Sequence, residues 1–375
     1  MNILLQDRLD SDRYPGGDTL QIKKISQFLS EHGIENRITR ELDPGLQNVD
    51  LVFIFNLTNV YECFLKSLNA VRQEKPYFLF PIYWDLSKVI PRNALIGTRS
   101  AFVGRLPRPY RDFIRGISAF KKFRPIVKKR RNLLPFLFNE SSHLEREALL
   151  HSSKIIPNSK AECKLLMDQF PQIPKDRFVI IKSGCERVPD RRPPANWPLG
   201  TNCKDFICCI GGVGPRKNQL NLVRAVRDLG LPLILMGPVR PENHGYYKQL
   251  TRQNVSNLFF LEHQSPQVAA WVLKQARVHV QPSYIETPGI ASLEAGLYGC
   301  NVVAADVPPV REYFGNLIYY CDPNDVASIR EAIERASAAK VPNEALSKFI
   351  KNEYSWDKTL APLLSAISSF PSSRK

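Results

Sequence analysis

The stretch Val278–Asp306, VHVQPSYIETPGIASLEAGLYGCNVVAAD, contains one complete passage from strand through turn and helix to strand. VHVQ and NVVAA are short apolar runs of strand length. Between them, Pro288 stands where a helix is expected to begin, Gly289 follows without a side chain, and Gly299 marks the helix end. Two strands separated by a helix are the signature of a βαβ unit in a parallel sheet.

The same alternation continues in both directions. FICCI, LPLILM, NLFFL and LIYYC are further strand-like runs, with helical segments such as NQLNLVRAVRDLG and PQVAAWVLKQA between them. In the first half, NILLQ, VDLVFIF, PYFLF, KIIPN and FVIIK form a second series, and DTLQIKKISQFLSEHG has helical spacing that stops at Gly33. The fold class is therefore α/β, with two doubly wound domains. A proline-rich stretch from Cys185 to Asn202 interrupts regular structure between the two series. The expected division is a domain over 1–184, a linker over 185–204, a second domain over 205–342, and C-terminal helices over 343–375 that return toward the first domain.

Bulk properties set limits on function. The 375 residues are 43% hydrophobic and 23% charged, an ordinary composition for a folded chain of two domains. MNILLQDRLD carries only a short apolar run, which suits a buried strand and not a signal peptide. No apolar run approaches the roughly 18 to 20 residues of a membrane span. A cytoplasmic location is expected, with any membrane contact made from the surface. The eight cysteines show neither a CxxC nor a paired zinc-ligand pattern, so buried thiols are expected and no metal site.

Charge is concentrated in one segment. Residues 99–131 hold twelve Lys or Arg against the single acid Asp112, leaving +11 of the chain's +16 there. Phe102, Tyr110, Phe113, Phe120 and Phe123 are interleaved with these cations. Such a segment suits an anionic membrane or a phosphate-bearing acceptor; nucleic acid is the weaker expectation.

Two segments carry the chemistry. In the first, Glu286 precedes the helix opened by Gly289 and Glu294 lies inside it. The free backbone N–H groups at Gly289 and Ile290, with the positive end of the helix dipole, suit a diphosphate approached by backbone. The two glutamates can then reach the two ends of a ligand whose phosphates lie between them. In the second, FICCIGGVGPRKNQLNLVRA (206–225), a strand and a glycine loop bring Lys217 to a helix start, where an ammonium can neutralise a developing diphosphate charge. A dinucleotide loop would need a glycine three residues after Gly214, and Lys217 stands there instead.

Glu286 and Glu294, with the flanking P-S-x-x-E-x-x-G and L-E-A-G-x-x-G, resemble the EX7E motif of retaining GT-B glycosyltransferases of the family 4 type. IIPNSKAECKLL, VIIKSGCE, MGP and SWDKTL are similar to that family in order and spacing. The resemblance implies two Rossmann-like domains facing a central cleft, with Glu286 on the donor sugar and Glu294 on the ribose hydroxyls. It implies that Lys217 neutralises the diphosphate, and that the glycine loop at Gly16 and Gly17 faces donor phosphates and acceptor. Gly212 occupies the place of the family's Arg, and Arg216 is the candidate to supply that guanidinium. Asp85 falls where the family carries a His-Asp pair, with Trp84 in place of the His.

The implied activity is metal-independent, retaining transfer of a hexosyl unit from a nucleoside diphosphate sugar to the hydroxyl of a glycan or lipid-linked acceptor. No cofactor is implied beyond that co-substrate. The alternatives are an epimerase or hydrolase on the same fold, or a non-catalytic protein that binds sugar nucleotides or nucleic acid.

Overall fold

The computed structural model describes residues 1–84, 90–91, 108–129, 138–189, 193, 196–200, 203 and 205–370. These form two compact units. One comprises described residues within Met1–Asp85, Ser100–Lys182 and Leu360–Lys375, and the other those within Leu86–Arg99 and Ser183–Thr359. Asp85, and Arg99, Arg105, Arg130 and Arg131 of the basic segment, lie outside the described residues. No helix among the described residues is long and apolar enough to cross a membrane.

In the first unit the order is β1 (Asn2–Gln6), α1 (Gly17–Glu31), β2 (Glu35–Thr39), β3 (Leu51–Phe55), α2 (Val60–Arg72), β4 (Tyr77–Phe80), α3 (Arg108–Lys129), α4 (Ser141–Leu150), β5 (Lys154–Ile155) and α5 (Lys160–Gln169). The sheet runs β2-β1-β3-β4-β5 and every pairing is parallel. β3 and β4 are buried along their whole length, so their apolar runs are continuous and do not alternate. β2, with the sequence ENRIT, is an edge strand with a partly exposed pattern and no apolar run. FVIIK, expected as a strand, is not one. It runs beside β5, with Val179 N–H donating to Ile155 O and Ile181 N–H to Pro157 O, but builds no continuous ladder.

The loop after β1 is organised by one guanidinium. Arg8 Nε donates to Asp18 Oδ2 at 2.5 Å, Nη1 to Asp10 Oδ1 at 2.5 Å, and Nη2 to the carbonyl of Tyr14 at 2.9 Å. Deeper in the unit, Glu62 and Lys66 pair at 3.0 Å while almost wholly buried, with Lys66 also donating to the Asp7 carbonyl.

The second unit comprises β6 (Ile207–Ile210), α6 (Gln219–Val226), β7 (Leu233–Met236), α7 (His244–Thr251), β8 (Leu258–Leu261), α8 (Pro266–Gln275), β9 (Val278–Gln281), α9 (Ile290–Leu297), β10 (Asn301–Ala305), α10 (Pro308–Phe314), β11 (Tyr319–Cys321), α11 (Val326–Ala338), α12 (Glu344–Glu353) and α13 (Trp356–Ser368), the last running on past Thr359. Its six strands are ordered β11-β10-β9-β6-β7-β8, all parallel. Successive strand residues enter opposite layers: Cys208, Ile234 and Val302 pack into one core, while Ile207, Cys209, Leu233 and Val303 pack into the other. The described residues of the proline-rich stretch also pack on this unit. Cys185 N–H donates to Tyr354 O, and Trp197 meets Trp271 edge-on at 5.0 Å.

The strand order reverses direction at β6, whose neighbours are β7 and β9. At such a switch point the loops leaving the carboxyl ends of the two strands diverge and leave a crevice, where ligands of open α/β sheets bind. Next to it the ends of β6 and β7 approach closely. A Cβ on Gly237, whose φ is +152°, would lie 2.2 Å from Gly211 O. Gly237→Ala must therefore separate the strand ends, and should destabilise the protein by about 3 kcal/mol in urea unfolding. A loss below about 1 kcal/mol would show that the two ends part freely.

Candidate functional site

The loops after β6 and β9, the two strands that flank the switch point, meet through an ion pair. Lys217 Nζ donates to Glu286 Oε1 at 2.7 Å, and Arg216 Nη1 lies 3.5 Å from the same oxygen. Arg216 also donates through Nη1 to Ile285 O at 3.1 Å, while Tyr284 N–H donates to the Arg216 carbonyl. The two loops are thus joined by backbone as well as by charge.

Local chemistry explains the positions. Pro215, Arg216 and Lys217 form a single 3-10 turn, and the α-helix starts only at Gln219, two residues after Lys217. Asn218 between them adopts a left-handed conformation at φ 57°, which a short polar side chain tolerates. Its side chain donates to Pro282 O and to Pro323 O, fixing the Lys217 turn to the segment that leads to Glu286. On the other side, Gln281 Nε2 donates to Ser283 Oγ at 2.7 Å, and Ser283 hydrogen-bonds to Glu286.

Glu286 is 6% exposed. Burial pushes its pKa up, but Lys217, Arg216 and the hydrogen bonds from Lys217 and Ser283 outweigh burial and hold the carboxyl below the usual range. Burial pulls the Lys217 ammonium down, opposed by Glu286. The pair is best described as a carboxylate and an ammonium that each make the other's burial tolerable. Beneath it, His279 is fully buried and held neutral, its pKa pulled down to about 3 by burial and then by Lys217.

Gly289 caps α9 at φ +87°, a left-handed position, and a Cβ there would touch the Glu286 side chain at 3.6 Å. The helix begins at Ile290 and not at Pro288, because Pro288 and Gly289 complete the turn that brings Glu286 back across the helix entrance. Among the described residues the backbone N–H groups of Gly289 and Ile290 donate to nothing. They and the ion pair present hydrogen-bond donors and positive charge at one helix N-terminus.

Glu294 lies about 7 Å along α9 from Gly289 by helical rise and shares no hydrogen bond or ion pair with Glu286, Lys217 or Arg216. Burial first, then the charge of Glu186, raises its pKa to about 7. Gly212 has space around it: a Cβ there would meet only Pro238 O, at 3.7 Å. Gly16 and Gly17 belong to the first unit, where Gly16 caps α1 in extended conformation and Asp18 sits in the first turn. The structure therefore gathers Glu286, Lys217, Arg216, Gly289 and Ile290, and leaves Glu294 and Gly212 at its margins. Ser283 and Asn218, which hold the cluster, were not singled out from the sequence. Ser283 was visible only as the S of P-S-x-x-E.

Comparison with known proteins extends this geometry. Residues 198–356 match the family model of glycosyl transferases group 1. The D-inositol 3-phosphate glycosyltransferase of Rhodococcus erythropolis is 24% identical over 241 residues, covering 59% of this chain and 54% of that protein. The O-antigen chain mannosyltransferase B of Escherichia coli is 29% identical over 168 residues, covering 42% of this chain and 44% of that protein. The chain thus spans about half the length of these curated relatives. Among solved structures, sucrose-phosphate synthase from Thermosynechococcus elongatus superposes with a TM-score of 0.71 at 15% identity, covering 98% of both chains. Anabaena HepE in complex with UDP and glucose gives 0.65 at 15% identity, covering 99% of this chain and 100% of that one. The two parallel-sheet units have the GT-B fold of these neighbours.

The ion pair yields a test that needs no ligand. Lys217→Ala leaves Glu286 buried with only Arg216 and Ser283, and should cost about 3 kcal/mol of stability at neutral pH. Adding Glu286→Gln removes the stranded charge and should recover most of that loss. A double variant no more stable than Lys217→Ala would show that the two side chains do not stabilise each other.

Proposed function

We propose that this chain is a retaining glycosyltransferase that moves a hexosyl unit from a nucleoside diphosphate sugar to an acceptor hydroxyl on a glycan or lipid-linked acceptor. The observation that carries this reading is the Lys217–Glu286 pair, with Arg216 beside it, at the N-terminus of α9 and at the switch point of the second sheet. Lys217 and Arg216 meet the charge of the leaving diphosphate, and the free N–H groups of Gly289 and Ile290 take phosphate oxygens. In this reading the positive charge comes from these groups and no metal ion is required. HepE is in complex with UDP-glucose, which makes UDP sugars the first donors to test.

The transfer forms a bond between the acceptor oxygen and the anomeric carbon of the sugar. The bond from that carbon to the β-phosphate oxygen breaks, and the diphosphate leaves with the electron pair and the acceptor proton. Attack from the face that the diphosphate leaves retains configuration without a covalent nucleophile. Glu286 orients the sugar, and Glu294 accepts hydrogen bonds from the ribose. Gly212 favours a second reading, a protein that holds sugar nucleotides without transferring, because the family's guanidinium is missing there. A transfer assay with UDP-glucose and other UDP sugars separates the two.

Glu286→Gln should abolish transfer, since its contact is to the sugar, while UDP binds at least as tightly as to the parent, because Lys217 and Arg216 are released from the carboxylate. Glu294→Ala should weaken UDP by about ten- to a hundredfold, the loss of a charged hydrogen bond of roughly 1.5 to 3 kcal/mol. Calorimetry in which both variants bind UDP like the parent would remove Glu294 from the site.

The raised pKa of Glu294 adds a pH signature. Its carboxyl is held protonated by burial and becomes the better acceptor only as pH rises through about 7. Affinity for UDP should therefore climb more steeply from about pH 6 to about pH 8 in the parent than in Glu294→Gln. Parallel profiles would place the titration elsewhere.

A further inference from the structure

Helix α3 turns an apolar stripe toward solvent. Tyr110 is 63% exposed, Phe113 56%, Ile117 37% and Ile114 36%, and all four are large hydrophobic residues. At about 100° per residue, these positions fall within an arc of about 100°. Gly116, Ala119 and Phe123 fall on the opposite side and are buried, the last two against Leu42 and Leu65. The helix is therefore anchored to the first unit by one face while the stripe faces away from that anchor. Phe138 extends the patch, its ring 5.7 Å from that of Phe113 and itself 41% exposed.

Further along the same arc lie Lys121 and Arg124, both exposed. Over its whole length α3 carries eight Lys or Arg and one acid, Asp112. A face with large apolar side chains at one end and cations at the other does not match water alone, since isolated exposed hydrophobics are common but a contiguous stripe is not.

We propose that this face of α3 docks on an anionic lipid bilayer, with Tyr110, Phe113, Ile114 and Ile117 entering the headgroup–acyl boundary and Lys121 and Arg124 meeting lipid phosphates. Charge complementarity selects this occupant. A second copy of the chain would set like charges against each other. A nucleic acid would satisfy the cations, but Ile114 and Ile117 gain nothing from stacking on bases, whereas aliphatic and aromatic side chains both gain from leaving water for acyl chains. The apolar stripe and the cations together give the pairing of hydrophobic insertion and electrostatic attraction that surface helices use. The inference does not depend on the transfer reaction.

The test is co-sedimentation of the full chain with vesicles of phosphatidylcholine alone and of phosphatidylcholine with about one-third phosphatidylglycerol, at low and raised salt. Binding is expected only to the anionic vesicles and weaker in raised salt. The triple variant Tyr110→Ser, Phe113→Ser, Ile117→Ser should bind at least about tenfold more weakly. The variant Lys121→Ser, Arg124→Ser should also bind more weakly and lose part of the salt dependence. Both replace exposed side chains, so their thermal melts should match the parent. Failure of the parent to bind either vesicle overturns the proposal, as does a triple variant that binds like the parent, which would make the attraction one of net charge alone. Transfer to a soluble acceptor should be unaffected in both variants, so a failed transfer reading leaves this measurement intact.

Discussion

A parallel sheet buried on both faces has to be covered by helices on both sides, because every strand residue points into one apolar layer or the other. In the second unit this requirement is met by two separate cores, one on each face of the same six strands. The helices cover both faces, so the strand ends remain open for polar chemistry. Lys217 and Glu286 lie beyond the carboxyl ends of β6 and β9 for that reason. The site follows from how the sheet is covered, and not from any property of the two loops taken alone.

The electrostatics of the site follow from the same burial. Glu286 stays ionised in a place that would otherwise favour its neutral form, because Lys217 and Arg216 face one of its oxygens. Lys217 and Arg216 already have an anionic partner in Glu286. Under the proposed function a diphosphate entering the site would have to share or replace that partner, so its affinity would be a difference between two ion pairs of similar kind. Ser283 and Asn218 keep the carboxylate and the ammonium loops in register.

Much of the second unit was legible in the sequence because its strands are continuous apolar runs, and all six, from FICCI to LIYYC, appear as strands. The first unit was harder. ENRIT has no apolar run to announce it, since an edge strand with partly exposed faces needs none, and its pairing with β1 comes from the β1–α1–β2 crossover. FVIIK misled for the opposite reason: it is apolar and half-buried beside β5, yet forms too few ladder bonds to be a strand. At the site, residue types and spacing pointed to Glu286, Lys217 and Gly289 separately. That Lys217 and Glu286 touch was not legible, because 69 residues separate them and only the sheet order brings them together. The left-handed Asn218 and the hydrogen bond from Ser283 depend on local geometry that residue identity does not specify.

The guanidinium of Arg8 has a consequence beyond stability. It binds Asp10, Asp18 and the carbonyl of Tyr14 at once, so the loop that ends at Gly16 is tied to the first turn of α1 through one rigid plane. A glycine at the end of a loop would ordinarily leave it free to sample many shapes. Here most of that freedom is given up when the chain folds, and a molecule that meets the loop does not have to order it again. The loop is preorganised, so any ligand that met it would benefit from entropy already lost on folding.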